Sequence, residues 1–333
     1  MRFLRRLLAL LLVMVVVLAG AGLYWINKPF ELRDTVNKSA ELSIELGTTP
    51  KEIAQGWVDA GVQTSPQLLY TWFRISGLAR KIRAGSYEIE QGDNPRILLA
   101  KLVQGQESLQ SLRLIEGWTF VQFRAELARA KDLRHSTEAM SDMQLMTAIG
   151  LPGQAPEGRF FPDTYLYSKG VSDLTILRRA VGTMQRKLDA AWAKRPSDTP
   201  LKTADEALVL ASIIEKETGL ASDRPRVAAV FVNRLRIGMP LQTDPTVIYG
   251  LGDQYQGRLR KSDLQKDTPF NTYTRGGLPP TPIAMPSAAS LHVALHPAKS
   301  RALYFVSRGD GSSEFSNDLA AHNRAVDQYI RRK

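Results

Sequence analysis

From Leu7 to Ile26 the sequence reads LLALLLVMVVVLAGAGLYWI, 20 residues without a charge. As a helix, such a run covers about 30 Å, the thickness of a bilayer's hydrocarbon core. Tyr24 and Trp25 stand at its far end, where amphipathic rings prefer the membrane interface. Two readings fit this segment. It is a retained anchor, or it is a cleaved signal peptide with Leu7 to Leu18 as the apolar region and Ala19-Gly20-Ala21 as the cleavage site. The apolar run continues past those small residues, which favours the anchor. Arg2, Arg5 and Arg6 precede the span and Lys28, Arg33 and Lys38 follow it, so the basic counts nearly balance. The compact arginine cluster abutting the run favours an inside N-terminus, with the bulk of the chain outside.

The 333 residues leave room for such an anchor plus two soluble units. With 44% hydrophobic and 23% charged residues, most of the chain can bury a core. A net charge of +11 suits a polyanionic partner: nucleic acid, anionic lipid or an anionic cell-wall polymer. No recognition helix, zinc finger or aromatic single-strand platform is present, which argues against nucleic acid. There is no cysteine, so thiol catalysis, disulfides and thiolate metal sites are excluded.

After residues 1–6 and the span 7–26, a tether (27–39) leads to a small module, 40–106. There AELSIEL alternates like a strand, and Thr49-Pro50 starts a helix ended by Gly61. A second helix (66–77), the strand GSYEIE, and a helix between Asn94 and Gly105 follow. The remaining residues, 107–333, give a strand at LQSLRLIEG, helices near 119–130, 137–148 and 172–195, and a connector from Pro196 to Pro200. A hairpin at Gly309–Gly311 and a C-terminal helix close the chain. The predicted class is α+β: one N-terminal transmembrane helix, a small α+β subdomain and a larger mixed α+β domain.

Within the larger domain, LASIIEKETG (210–219) places two glutamates near the end of an apolar helix. Thr203 and Glu206 read as a capping box and Gly219 as the residue past the end, which predicts a helix over 204–218. On a helical wheel Glu217 falls between Leu210 and Ile213, inside the apolar stripe. Glu215 falls at the stripe's edge beside Leu208, and Lys216 opposite. A core-facing carboxylate is costly to ionise, and the helix's negative end adds to that cost. A carboxyl kept protonated near neutral pH is what a general acid needs. A buried tie from Glu217 to Arg234 or Arg236 explains the same placement, and the pattern alone does not choose.

A helix from Asp223 to about Ile237, capped by Ser222, comes next, followed by LQTDPTVIYG (241–250) and the irregular FNTYTRGGLPPTPIAMPS (270–287). Long loops dense in amides, hydroxyls and aromatics often line polysaccharide clefts. EGRFFPDTY (157–165) is aromatic and carries Glu157 and Asp163. A glycosidase working by hydrolysis pairs two carboxylates, and Asp163 or Asp244 could supply the second, although Asp244 before Pro245 also reads as a loop cap. Of the four histidines, His292 and His296 could share a helix face, but Pro297 follows at once and no third metal ligand is evident, so helix-end packing is the better reading. No phosphate-binding glycine loop, dinucleotide fingerprint or H-E-x-x-H is present, and neither cofactor nor metal is expected.

Taken together, ASIIEKET, VFVNRLRIGMPLQTDPTVIYG, FNTYTRGGLPPTPIAMPS and HPAKSRALYFV resemble the endolytic murein transglycosylase family, of the YceG-like or MltG type. The likeness covers most of the chain. It implies an inner-membrane anchor with a cytoplasmic N-terminus, a LysM-like subdomain matching 40–106, and a YceG-like catalytic domain, 107–333, in the periplasm. It implies cleavage of the MurNAc–GlcNAc β-1,4 bond without water, leaving 1,6-anhydro ends on nascent glycan strands and limiting their length. Glu217, the second glutamate of E-K-E, matches the family's catalytic acid. Glu157, Gln242, Asp244, Asn271 and Tyr273 are the substrate contacts carried over with it. Implied partners are peptidoglycan, the inner membrane and the penicillin-binding synthases. The alternative is a non-catalytic peptidoglycan-binding scaffold for cell-wall synthesis.

Overall fold

The uncharged run forms one helix, α1 (Arg2–Asn27), whose side chains from Phe3 to Tyr24 are all exposed. A helix that is apolar all round and exposed over that length is compatible with a membrane anchor. The computed structural model describes residues 2–33 and 38–331. Residues 34–37 of the tether and the basic pair Arg332-Lys333 lie outside the described residues. The rest divides into two units, residues 1–110 with 166–170 and residues 111–165 with 171–333.

In the first unit, β1 (Glu31–Leu32) pairs antiparallel with β3 (Val62–Gln63). Strand β2 (Ser39–Ile44) pairs antiparallel with β4 (Gly85–Glu90), from Ser39 opposite Glu90 to Ile44 opposite Gly85. Between β2 and β4 run α2 (Pro50–Asp59) and α3 (Pro66–Ile75), and α4 (Pro95–Gln104) follows β4. Strand, helix, helix, strand is the predicted order. Its ends are set locally. Thr49 accepts from the Glu52 N–H while Glu52 accepts from the Thr49 N–H, and Asn94 accepts from the Ile97 N–H. Gly105 ends α4 at a φ of 71°, a left-handed conformation open to glycine. Trp57, Leu69, Phe73, Tyr87, Leu98 and Leu102 close the core without solvent exposure.

Strands β5 (Leu109–Arg113) and β6 (Thr164–Ser168) pair with each other, and the second unit takes in 111–113 of the one and 164–165 of the other. This unit continues through α5 (Phe120–Arg129), α6 (Asp142–Ala148), α7 (Asp173–Ala193), α8 (Ala204–Glu217) and α9 (Arg224–Arg236). Then come α10 (Asp244–Leu251), α11 (Lys261–Gln265), α12 (Ala288–Leu295), the hairpin β7 (Tyr304–Ser307) with β8 (Ser313–Ser316), and α13 (Leu319–Val326). Helix α8 is central. It packs on α7, α9, α10 and α12, and every residue from Ala207 to Ile214 is buried.

Several predicted boundaries move, each for a visible reason. The helix expected over 137–148 begins only at Asp142. Upstream, the Ser136 and Thr137 N–H groups and hydroxyls all donate to Asp173, which holds that stretch out of helix, and Ser141 with Gln144 forms the capping box. Thr203 caps α8, but Glu206 turns to the Lys202 N–H, so the capping box is half made. Helix α8 ends at Glu217 with Thr218 extended, so Gly219 is not a left-handed cap. The N-cap position of α9 falls on Asp223, one residue past the predicted Ser222, and its carboxylate accepts from the Ser313 N–H instead of capping the helix. Helices α10 and α12 occupy or abut stretches read as loop.

Glu157 and Gly158 form a tight corner in this unit. Burial pushes the Glu157 carboxyl up from 4.5 to about 7, against hydrogen bonds from the Phe120 N–H and the Tyr249 hydroxyl. Gly158 has a φ of 78°, and a Cβ there would lie 2.4 Å from Cβ of Pro282.

Two outcomes are expected. The folded pKa of Glu157 lies above its ordinary value, so its contribution to stability is fully present below about pH 4.5 and is lost as pH rises through about 7. Denaturant unfolding at several pH values should show wild type losing roughly 3 kcal/mol relative to Glu157→Gln across that window; parallel curves would refute the assignment. Gly158→Ala should destabilise by more than about 1 kcal/mol beyond Gly153→Ala, since Gly153 has similar φ with open space around it. Equal losses would mean that the Pro282 contact is not limiting.

Candidate active site

The last residue of α8, Glu217, is half-buried where the helix's unpaired carbonyls point. The Thr243 hydroxyl donates to Glu217 Oε2 at 2.7 Å. Thr243 is the N-cap of α10, a position whose side-chain oxygen usually accepts from the helix's first N–H groups. Here it makes no such cap bond, and its hydroxyl is turned to the carboxyl instead. A set of threonines fixes it there: the Thr243 N–H donates to Thr272 Oγ1 at 3.1 Å, and Thr246 Oγ1 lies 2.7 Å from the Thr243 carbonyl and 2.9 Å from Thr272 Oγ1.

Burial pushes the Glu217 carboxyl above its ordinary range, and the negative charge of Asp244 adds to this. The Thr243 hydrogen bond and the positive field of Arg234 oppose it without reversing it. The buried-tie alternative for Glu217 meets a different geometry. Arg234 donates from Nε to the Leu303 carbonyl and from Nη1 to the Leu241 carbonyl, both at 2.7 Å. Arg236 pairs with Asp198 at 2.8 Å. Among the described residues no ion pair reaches Glu217.

Glu215, two residues earlier, has a plainly structural setting. It accepts from the Ser287 N–H at 2.9 Å and the Ser287 hydroxyl at 2.5 Å, with Arg224 3.9 Å away. Ser287 caps α12, so Glu215 ties the end of α8 to the start of α12. Beside it, Lys216 Nζ donates to the Gly117 carbonyl, and Gly117 and Trp118 exchange backbone bonds with Met285.

The predicted contacts separate into groups. Asp244 and Tyr273 are brought to Glu217, and the Tyr273 hydroxyl donates to Asp244 at 2.6 Å. Gln242 is exposed beside Thr243 with a φ of 49°, an uncommon conformation for a side-chain-bearing residue and one often kept at functional sites. Asn271 is buried, its amide donating to the Leu264 and Lys266 carbonyls and its oxygen accepting from the Tyr273 N–H. Glu157 braces the start of α5 against Tyr249 of α10, with no bond to this group. Asp163 is exposed, takes the Thr164 N–H and has no part in the Glu217 network. His292 and His296 stack at 4.7 Å, and a His296 ring nitrogen lies 3.1 Å from the Lys194 carbonyl. The sequence reading missed Thr243 as the hydrogen-bond partner. Its only signal was position, between two polar candidates.

Such a site can donate a proton from a neutral carboxyl and take one back afterwards. The model of the YceG-like family matches residues 42–328. An endolytic murein transglycosylase of Bacillus subtilis is 28% identical over 336 residues, covering 95% of this chain and 92% of the relative. One from Streptococcus pneumoniae is 25% identical over 329 residues, covering 89% of this chain, which spans 59% of that longer relative. The crystal structure of a yceG-like protein from Listeria monocytogenes superposes with a TM-score of 0.53 at 27% identity, covering 87% of this chain and 99% of that one. With a family match over most of its length, the chain belongs to the YceG-like family.

Proposed function

We propose that the protein is a membrane-anchored lytic transglycosylase of peptidoglycan in which Glu217 is the sole proton carrier. The relatives named endolytic murein transglycosylase, one of them aligned over nearly the whole chain, support the reaction class. The observation that carries the residue assignment is the unpaired Glu217 carboxyl, held by Thr243 and pushed toward its neutral form. Glu157 too is pushed toward its neutral form without an ionic partner, but both its oxygens are taken by the Phe120 N–H and one also by the Tyr249 hydroxyl, as a structural tie requires.

In this reading Glu217 gives its proton to the oxygen of the MurNAc–GlcNAc β-1,4 bond as the bond from C1 breaks, freeing the GlcNAc 4-hydroxyl. The resulting carboxylate accepts the proton of the muramic C6 hydroxyl as that oxygen bonds to C1. The 1,6-anhydro ring closes and Glu217 returns to its starting form. Because the nucleophile belongs to the substrate, its effective concentration is high and no second carboxylate has to activate water. Asp244 keeps the Glu217 proton on and orients Tyr273. Gln242 and Tyr273 contact sugar. Glu157 and Asn271 hold the backbone that presents them. The C-terminal end of α8 favours the positive charge that develops at C1.

The finer assignments belong to the same proposal. Residues 40–106 form a LysM-like module, a reading supported by the antiparallel β2–β4 pair and the two helices between. Helix α1 crosses the inner membrane with Arg5 and Arg6 on the cytoplasmic side and the catalytic unit in the periplasm, acting on nascent strands beside penicillin-binding synthases. A wall-binding scaffold without catalysis would have no use for a neutral acid at Glu217.

Full-length protein incubated with glycan strands, with products read by mass spectrometry, tests the assignment. Glu217→Gln should lose about 10² to 10⁴ in rate, or more, at unchanged melting temperature. Glu215→Gln should keep most activity, because the amide oxygen still accepts from both Ser287 donors. If Glu217→Gln remains active, or the two variants exchange behaviour, the assignment fails; if wild type makes no cuts, the scaffold reading replaces it.

A further inference from the structure

Helix α3 has two unlike faces. Leu69 and Phe73 are fully buried in the core of the first unit, while Leu68 and Ile75 are 50% and 77% exposed. Thr71 and the half-buried Trp72 lie on the outward side with them, at helical spacing. This outward face is not isolated. With the last turns of α1 it lines one apolar groove, formed by Leu18, Gly22 and Leu23 of α1 and Leu68, Trp72 and Ile75 of α3. The Trp72 indole N–H is already satisfied by the Pro95 carbonyl at 3.0 Å, which leaves its ring free to face an apolar medium.

The α1 side of that groove, Leu18 to Ile26, spans about 12 Å at 1.5 Å per residue, roughly the last two-fifths of the uncharged run. If α1 fills the hydrocarbon core, that stretch lies in the outer part of the bilayer, and whatever flanks it lies at the same depth. The surrounding charge has one sign. From Thr64 to Tyr87 the chain carries Arg74, Arg80, Lys81 and Arg83 and no acidic residue. Arg74, Arg80 and Lys81 are exposed, at the end of α3 and in the short turn after it.

We infer that α3 is an interfacial helix that seats the first unit on the outer surface of the same bilayer that α1 crosses, an inference that rests on the anchor reading. Leu68, Trp72 and Ile75 enter the boundary between headgroups and acyl chains, and the basic cluster meets anionic headgroups. An amphipathic helix at such a boundary reaches about 5–10 Å into the membrane, somewhat less than the extent of the groove along α1, so the shallower part of the groove is the part α3 occupies. The anchor is then a fixed post with a foot, and the first unit does not swing freely on a tether.

The cysteine-free chain suits site-directed labelling. Single variants Leu68→Cys, Ile75→Cys, Val15→Cys and Lys51→Cys of the full-length protein would carry a nitroxide label in nanodiscs of phosphatidylethanolamine and phosphatidylglycerol. The measurement is collisional accessibility to oxygen, which concentrates in lipid, against a water-soluble nickel chelate. At 68 and 75 the oxygen-to-nickel ratio should resemble that at 15, in the span, and exceed by several-fold that at 51, on the exposed side of α2. Labels at 68 and 75 that are open to nickel while 15 is in lipid would overturn the inference and leave the anchor intact. Labels shielded from both reagents would mean that protein covers the face, which overturns it too. A label at 15 open to nickel would sink the anchor reading and this inference with it.

Discussion

Desolvation of the Glu217 carboxyl is the constraint around which the second unit's polar groups are arranged. Helix α8 is buried on every side from Ala207 to Ile214, so the residue that ends it emerges directly from the core. An ionised carboxylate there faces low polarizability, the helix's negative end and the nearby Asp244. Glu157 in the same unit is likewise pushed up by burial, whereas the buried Asp173 meets that cost differently. Asp173 gathers the Ser136, Thr137 and Leu174 donors and is held below the usual carboxylate range. Glu217 has the Thr243 hydroxyl as its hydrogen-bond donor, and its balance tips the other way.

That single bond is tightly supported. Arg234 grips the Leu303 and Leu241 carbonyls, just ahead of the left-handed Gln242. Thr272 and Thr246 fix Thr243, and Asn271 orders the loop from which Thr272 and Tyr273 project. Strain at one exposed residue, an N-cap hydroxyl diverted from its helix, and a buried guanidinium given to carbonyls all converge on the position of one acid. Arrangements of this kind raise the precision of a site at some loss of local stability.

Much of this was legible where the determining forces are local. Thr49, Asn94 and Gly105 set helix ends in the first unit through bonds to near neighbours, and the uncharged run dictated α1 without reference to anything else. The site was legible in part, because a glutamate near the end of an apolar helix is unusual by itself. The amphipathic-stripe argument that favoured Glu217 over Glu215 was weaker than it looked, since α8 has no solvent-facing side over most of its length. What separates the two glutamates is their partners, Thr243 and Ser287, which come from segments distant in sequence. For the same reason the inward turn of Asn271 and Glu157 could not be read. Helix α10 was missed although Thr243-Asp244-Pro245 is an acceptable helix start; the run of polar residues suggested a loop.

The account's central claim is that one carboxyl suffices because the substrate supplies its own nucleophile. Digestion of glycan strands in water enriched in heavy oxygen tests this most directly, with mass spectrometry of the new muramic ends. The account requires unlabelled 1,6-anhydro ends, each lighter by one water than a hydrolytic end. Heavy oxygen incorporated at the new reducing ends would contradict it, and would point to Asp244 as a second carboxylate activating water or attacking the sugar.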